Sequence, residues 1–190
     1  MIGNKVKSGF SLFEMLVVVA IVGVLALAAV PVAEITYVKA LETELQNNLD
    51  VIRTAIQAWK TDCRNSLISQ TSTSAVNELD DSRLYPPGIL DLMNPNPLGY
   101  DINWPDPIAG PYFSNFKPLP YLQKIPSDPF VGSPRWKVYF ASGTSTVIFN
   151  SSPIVPPPNH VGVFDISVDP DPTVRKGFVT AIDGTNYSDW

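Results

Sequence analysis

The sequence predicts an α+β protein in which one long N-terminal helix packs on an antiparallel sheet of three or four strands, with a proline-rich connection between them. Eighteen of the 19 prolines follow Tyr85 and only Pro31 precedes it, so continuous helix is restricted to the first third of the chain. A stripe of apolar residues at helical spacing in that third, and alternating segments after residue 135, complete the prediction.

Composition limits the function classes. The 190 residues suit one domain with a modest core plus an N-terminal extension. With a formal net charge of −5 and no run of Lys or Arg, the soluble part is not expected to bind nucleic acid. The single cysteine, Cys63, cannot close a disulfide within its own chain, and we expect a structural, partly buried thiol.

The N-terminal part of the chain, up to Ala33, is predicted to form a membrane anchor. Residues 1–8 are short and polar with two lysines and no acid, and the apolar run of residues 10–33 contains a single charge, Glu14. Residues 15–33 are uncharged and would span roughly 29 Å as a helix, about one bilayer core. The lysines before the span and Glu34 after it predict a single-pass membrane protein with a cytoplasmic N-terminus and an extracytoplasmic C-terminal domain.

Two other kinds of anchor fit parts of this pattern: a secretory signal cut after the Ala-rich stretch AVPVAEI, and a plain signal anchor carrying a soluble domain. Neither explains Glu14. A carboxylate near the start of a membrane span costs several kcal/mol unless it is paired or reaches the interface, so Glu14 is a functional candidate. The alternative is that Glu14 only reaches the lipid headgroups.

The helix is predicted to continue as an amphipathic segment over residues 34–62. Its apolar residues follow at steps of three or four and are expected to face the sheet: Ile35, Val38, Leu41, Leu45, Leu49, Ile52, Ile56 and Trp59. The helix should fade in residues 61–74, which are rich in Ser, Thr and Asn. A helix over residues 10–60 would be about 75 Å long, too long for a compact domain of this size. Its first half is therefore expected to pack on lipid or on other subunits.

The rest of the chain is divided into a connecting region, residues 63–135, and a sheet region, residues 136–190. Aromatic residues between the prolines predict a packed, irregular connection. Residues 136–141 and 144–150 are expected to form a hairpin around Ser142-Gly143, and residues 160–167 and 177–182 two further strands.

The string Gly9-Phe10-Ser11-Leu12-Phe13-Glu14, after a short basic leader and before an apolar run, resembles the processing site of type IV pilins and type II secretion pseudopilins. The resemblance implies that a prepilin peptidase removes residues 1–9 and that Phe10 is N-methylated. Glu14, Gly23 and Pro31 also match family positions. It further implies a pilin-like fold and a filament subunit without enzymatic activity.

The chemistry of assembly can be stated from the residues. Cleavage creates an α-amine at Phe10, and Glu14 of a neighbouring subunit can pair with it where leaving either charge alone would be costly. Pro31 removes a helical N–H and clashes with the carbonyl of Leu27, so the stretch from Gly23 to Pro31 is expected to be helical or kinked in the monomer and able to unwind on assembly.

The segment LPYLQKIPSDPF, followed by WKVYF, is similar to the stretch before the first strand of type II secretion major pseudopilins. It implies partners: copies of the same chain in a helical filament, an inner-membrane assembly platform, minor pseudopilins and membrane lipid. The alternatives are a type IV pilus pilin for adhesion, motility or DNA uptake, and a membrane-anchored binding domain or enzyme. The lone His160 and the lone cysteine indicate no catalytic set.

The end of the chain is rich in aspartate, with Asp165, Asp169, Asp171, Asp183 and Asp189. By similarity to the calcium-binding loop of major pseudopilins, Asp171 and Asp183 are the expected Ca²⁺ ligands, with Asp169 and Val168 beside them and Trp190 matching a terminal tryptophan. Calcium takes carboxylate and carbonyl oxygens from loops. Asp169 stands where the family loop has glycine, and the alternative reading is a set of solvated turn acids.

Overall fold

The computed structural model describes residues 9–77, 80–94, 119–141, 146–154 and 162–190. Within them lie the helices α1 (Leu12–Gln70) and α2 (Thr73–Asn77) and the strands β1 (Trp136–Phe140), β2 (Thr146–Phe149) and β3 (Val163–Val168). Short 3-10 helices cover Asp81–Leu84, Ile89–Leu92 and Tyr187–Asp189. The long helix packed on a three-stranded antiparallel sheet is the predicted α+β, pilin-like arrangement. The chain divides into two compact units, Met1–Ala40 and Leu41–Trp190, and α1 contributes to both.

In the first unit, α1 begins after Ser11. The hydroxyl of Ser11 accepts a hydrogen bond from the backbone N–H of Phe13 at 3.3 Å, which satisfies one of the free donors of the first turn. The helix continues through Pro31, as expected for the monomer. Ile35, predicted to face the core, is 56 % exposed, because the buried face of α1 starts only at Glu42.

In the second unit, α1 buries a continuous apolar stripe. Its members recur at steps of three or four residues, as the sequence predicts, and continue past the predicted end of the amphipathic segment: Leu45, Leu49, Ile52, Ile56, Trp59, Cys63 and Leu67. Cys63 is buried, as expected.

The helix ends at Gln70 instead of near residue 62, so the predicted fading over residues 61–74 is wrong for most of that range. Hydroxyl side chains in this stretch bond back to the helix itself. The hydroxyl of Thr61 donates to the carbonyl of Gln57 at 2.8 Å, and that of Ser69 to the carbonyl of Ser66 at 2.7 Å. Burial of Cys63 and Leu67 outweighs the weak helix propensity of the Ser and Thr residues.

The sheet has the order β2-β1-β3, with both pairs antiparallel. The predicted hairpin is confirmed by the pairing of Trp136 with Phe149 and of Tyr139 with Thr146, while Ser142-Gly143 lies outside the described residues. Alternate residues of β1, namely Trp136, Val138 and Phe140, are fully buried.

The predicted strand over residues 177–182 is wrong. Its backbone is used by turns: the N–H of Gly177 donates to the carbonyl of Pro172 at 2.9 Å, and Lys176 and Gly177 both have positive φ, which a strand does not accommodate. Only an isolated bridge pairs Thr180 with Asn186. The other predicted strand is present as β3, which starts at Val163; His160 lies outside the described residues.

The described part of the connecting region contributes many side chains to the core, as expected for a packed connection. The buried side chains of residues 80–94 and 119–135 include Leu84, Ile89, Leu92, Ile125 and Phe130. The indole N–H of Trp136 donates to the carbonyl of Pro126 at 2.9 Å, which ties this region to β1. Residues 95–118 lie outside the described part of the chain.

Candidate functional site

The predicted cleavage site precedes the first turn of α1. Gly9 and Phe10 have irregular backbone, and Phe10 is 73 % exposed. A peptide bond in exposed, non-helical backbone is what a peptidase needs for access. Glu14 lies in the first helical turn, where its carboxylate faces the positive end of the helix dipole.

Gly23 and Pro31 both lie inside α1 in exposed positions. A methyl group added at Gly23 would contact nothing within 4 Å, so no packing contact in the monomer requires a glycine there. Unwinding between these two residues on assembly stays a prediction.

The apolar side chains of the first unit form a large exposed surface. Most large hydrophobic side chains between Phe10 and Tyr37 are exposed to solvent. In the most apolar 18-residue stretch of α1, no residue is buried against the rest of the protein. By length and composition α1 can cross a membrane. An apolar surface of this extent marks a lipid or protein contact.

The residues predicted to bind calcium have partners within the protein. Asp169 is buried, its Oδ2 forms an ion pair with the Nε of Arg135, and its Oδ1 accepts from the backbone N–H of Asp171 at 3.0 Å. Both oxygens of Asp169 therefore have partners inside the protein, and a role for Asp169 in calcium binding stays a prediction. Val168 is buried at the end of β3, where it pairs with Trp136.

Asp171 and Asp183 each close their own turn. The Oδ1 of Asp171 accepts from the backbone N–H and hydroxyl of Thr173, at 2.9 and 2.7 Å. Asp183 accepts from Thr185 in the same way, at 2.9 and 2.7 Å. These hydrogen bonds hold the pKa of both carboxyls below the ordinary value. Within the described residues, no group of three or more His, Cys, Asp or Glu side chains is placed to hold a metal ion.

Sequence reasoning missed a set of buried charges in the second unit. Arg175 and Asp128 are both fully buried and form an ion pair between Nη1 and Oδ2. The guanidinium of Arg175 lies 5.0 Å from the ring centre of Phe130 and 4.9 Å from that of Tyr187. These residues are far apart in sequence, so no local pattern predicts their contact.

Two charged residues of α1 hold the end of the chain. The Oε1 of Glu42 accepts from the Tyr187 hydroxyl at 2.9 Å and from the Ile182 N–H at 2.8 Å. Arg53 donates to the carboxylate of Asp165 at 2.8 Å and to the backbone oxygen of Trp190. The only sequence signal for Glu42 is its place on the helical face that also carries the apolar stripe.

Comparison with known proteins bears on the N-terminal segment. Residues 4–30 match the family model described as "Prokaryotic N-terminal methylation motif". That range contains the predicted cleavage site after Gly9 and the predicted assembly residues Glu14 and Gly23. The match supports a type IV pilin-like prepilin and indicates prepilin processing and filament assembly. No curated protein and no solved structure matches the chain significantly.

Proposed function

We propose that this chain is the major pseudopilin of a type II secretion-like system, cleaved after Gly9 and N-methylated at Phe10. Its N-terminal helix anchors it in the inner membrane and then assembles it into a filament. The observation that carries the proposal is the methylation motif over residues 4–30, which includes the start of an exposed apolar helix; the apolar run of residues 10–33 contains one charge, Glu14.

Assembly is favoured because the Glu14 carboxylate and the α-amine created at Phe10 are each costly to bury without the other. The apolar surface of the first unit favours contact with lipid or with other copies of the same helix. That contact removes the Glu14 carboxylate from water, which is unfavourable unless a cation accompanies it. The α-amine that cleavage creates at Phe10 provides this cation on a neighbouring subunit.

The pseudopilus is favoured over a pilus by the segment before β1. The sequence PSDPF before β1 is similar to the stretch before the first strand of major pseudopilins, and its Asp128 forms a buried ion pair. The prepilin peptidase, the inner-membrane assembly platform and minor pseudopilins are the proposed partners, and the second unit is proposed to lie outside the cytoplasm. A type IV pilus pilin is the second candidate, because it shares the methylation motif; a short periplasmic fibre and a long surface fibre distinguish the two.

The first experiment is intact-mass and N-terminal peptide mapping of the protein from its native envelope. A chain that begins at a methylated Phe10 is expected. Substitution Gly9→Val should leave the leader attached, whereas Gly3→Val, a glycine of the leader away from the cleavage site, should be processed normally. A wild-type chain that retains residues 1–9, or one cut after the Ala-rich stretch, would refute the proposal.

The second experiment tests the assembly residue. Glu14→Ala should be processed but should yield few or no filaments in sheared-fibre preparations. Glu34→Ala removes an exposed acid beyond the apolar run and should assemble like the wild type. Normal filament yield from Glu14→Ala would count against pairing with the Phe10 amine.

A further inference from the structure

Residues 169–190, named here the C-terminal segment, consist of turns, an isolated bridge and one short 3-10 helix. Such a segment has little regular backbone pairing of its own, so other contacts must hold it. It contains one fully buried cation, Arg175, and four acids, Asp169, Asp171, Asp183 and Asp189.

Arg175 joins three separate stretches of chain. Its Nη1 pairs with Asp128, which lies 47 positions earlier, and its Nε donates to the carbonyl of Phe178 at 2.6 Å. Its flat face lies about equally close to the rings of Phe130 and Tyr187, at 5.0 and 4.9 Å. A guanidinium suits this position because it is always charged, donates within its plane and stacks on aromatic rings.

The loop that carries Asp128 is itself ordered by that residue. The Oδ1 of Asp128 accepts from the Phe130 N–H at 2.9 Å, and its carbonyl accepts from the Gly132 N–H at 2.7 Å. Arg175 therefore binds a loop that is already shaped to receive it.

A second guanidinium holds the start of the segment. Arg135, one residue before β1, pairs with the buried Asp169, which directly follows β3. Asp169 is one of the residues that the resemblance assigns to calcium. The guanidinium of Arg135 already compensates the charge of Asp169, and its positive charge opposes a second cation such as Ca²⁺ at the same carboxylate.

We propose that the C-terminal segment is held in place by two guanidinium groups of the chain itself, those of Arg175 and Arg135, and that its order does not depend on calcium. The two arginines supply the positive charge that the neighbouring carboxylates need. Glu42 completes the attachment, since it binds the hydroxyl of Tyr187, the ring on which Arg175 stacks.

The test is hydrogen–deuterium exchange of the full-length chain in mild detergent, with excess EGTA or with millimolar CaCl₂. The reporters are the amides of Ala181 and Tyr187, which donate to the carbonyls of Thr185 at 2.8 Å and Val179 at 3.1 Å. Their exchange rates should differ by less than about twofold between the two conditions. Exchange that is about tenfold faster in EGTA, and restored by CaCl₂, would overturn the proposal.

Variants test the arginine separately. Arg175→Met should accelerate exchange of both reporters by about tenfold or more, equally with and without CaCl₂. Lys176→Met removes the adjacent exposed charge and should change exchange by less than about twofold. If Arg175→Met does not fold, Arg175→Lys provides the comparison, because it keeps the charge but loses the stacked plane and the bond to Phe178. Wild-type exchange in either Arg175 variant would refute the role of this residue.

These measurements do not involve the leader or the filament. The calcium result on the wild-type chain stands even if processing after Gly9 fails, and the processing result stands even if calcium orders the segment.

Discussion

The close approach of Gly162 to Tyr85 provides a prediction whose magnitude follows from the structure. A methyl group added at Gly162 would lie 2.5 Å from the carbonyl carbon of Tyr85, 2.6 Å from its Cβ, and against its carbonyl oxygen. Two of these three atoms are backbone atoms, so no side-chain rotation relieves the overlap. Gly162→Ala must therefore move residues 82–86 away from the start of β3.

The movement would disturb three hydrogen bonds. Gly162 N–H donates to the carbonyl of Ser82 at 3.1 Å, Val163 N–H to that of Pro86 at 2.8 Å, and Ala141 N–H to that of Gly162 at 3.0 Å. Overpacking of this kind costs about 1–3 kcal/mol, and each weakened hydrogen bond about 1 kcal/mol. Allowing for the lower chain entropy of alanine in the unfolded state, we expect a loss of about 3 kcal/mol in the free energy of unfolding.

The assay is urea unfolding of the full-length chain in mild detergent, followed by the fluorescence of the buried Trp59 and Trp136. A loss of about 3 kcal/mol corresponds to a fall of about 1.5 M in the urea midpoint. Gly88→Ala is the matched control: φ at Gly88 is −155°, and the added methyl would meet only the end of the Asp91 side chain, at 3.3 Å. If Gly162→Ala and Gly88→Ala both unfold at the wild-type urea midpoint, the argument from steric overlap is refuted.

Two further predictions concern buried ionisable groups. Glu42→Leu should lower the free energy of unfolding by about 2–4 kcal/mol, because it leaves the Tyr187 hydroxyl and the Ile182 N–H without their acceptor; Glu42→Gln, which keeps an acceptor oxygen, should lose less. Equal urea midpoints for the two variants would contradict this. Burial raises the pKa of the Cys63 thiol to about 12 from its ordinary value of 9.0, so the folded state keeps a proton that the unfolded state releases. This contribution to stability is complete below about pH 9 and is lost as the pH rises towards 12. The free energy of unfolding, obtained from urea titrations from pH 8 upwards, should therefore fall less steeply with pH for Cys63→Ala than for the wild type. The difference in slope should reach up to about 1.4 kcal/mol per pH unit, and identical slopes would rule the effect out.

Local patterns predict the elements whose stability is local or periodic. The stripe from Leu45 to Trp59 and the alternation in β1 reflect faces that repeat with the period of the element, and both are present in the structure. The end of α1 is misplaced by the sequence pattern, since propensity alone does not register that Cys63 and Leu67 continue the buried face.

The C-terminal segment is harder to predict because tertiary contacts decide it. Residues 177–182 alternate like a strand, yet the backbone around Lys176 turns to place Arg175 in the interior. The partner of Arg175, Asp128, lies 47 positions away in the sequence, so no short sequence pattern can indicate their contact. The C-terminal acids alone suggest calcium, because nothing in the local sequence of Asp169 points to Arg135, with which it forms an ion pair.

Two glutamates of α1 present the same physical problem in different surroundings. Glu42 is withdrawn from water in the second unit, where a hydroxyl and a backbone N–H of its own chain satisfy it. Glu14 is exposed among apolar side chains, and its carboxylate makes no hydrogen bond or ion pair with the residues that the structure describes. Covering those apolar side chains would bury the carboxylate as well, and an unpaired buried charge is strongly unfavourable. Burial of Glu14 therefore requires either a proton or a nearby cation, and the proposed cleavage after Gly9 would supply an amine close in sequence, at Phe10. In the proposed filament, the amine of one subunit pairs with the Glu14 carboxylate of a neighbour offset along a common axis, and we therefore expect assembly to require removal of the leader.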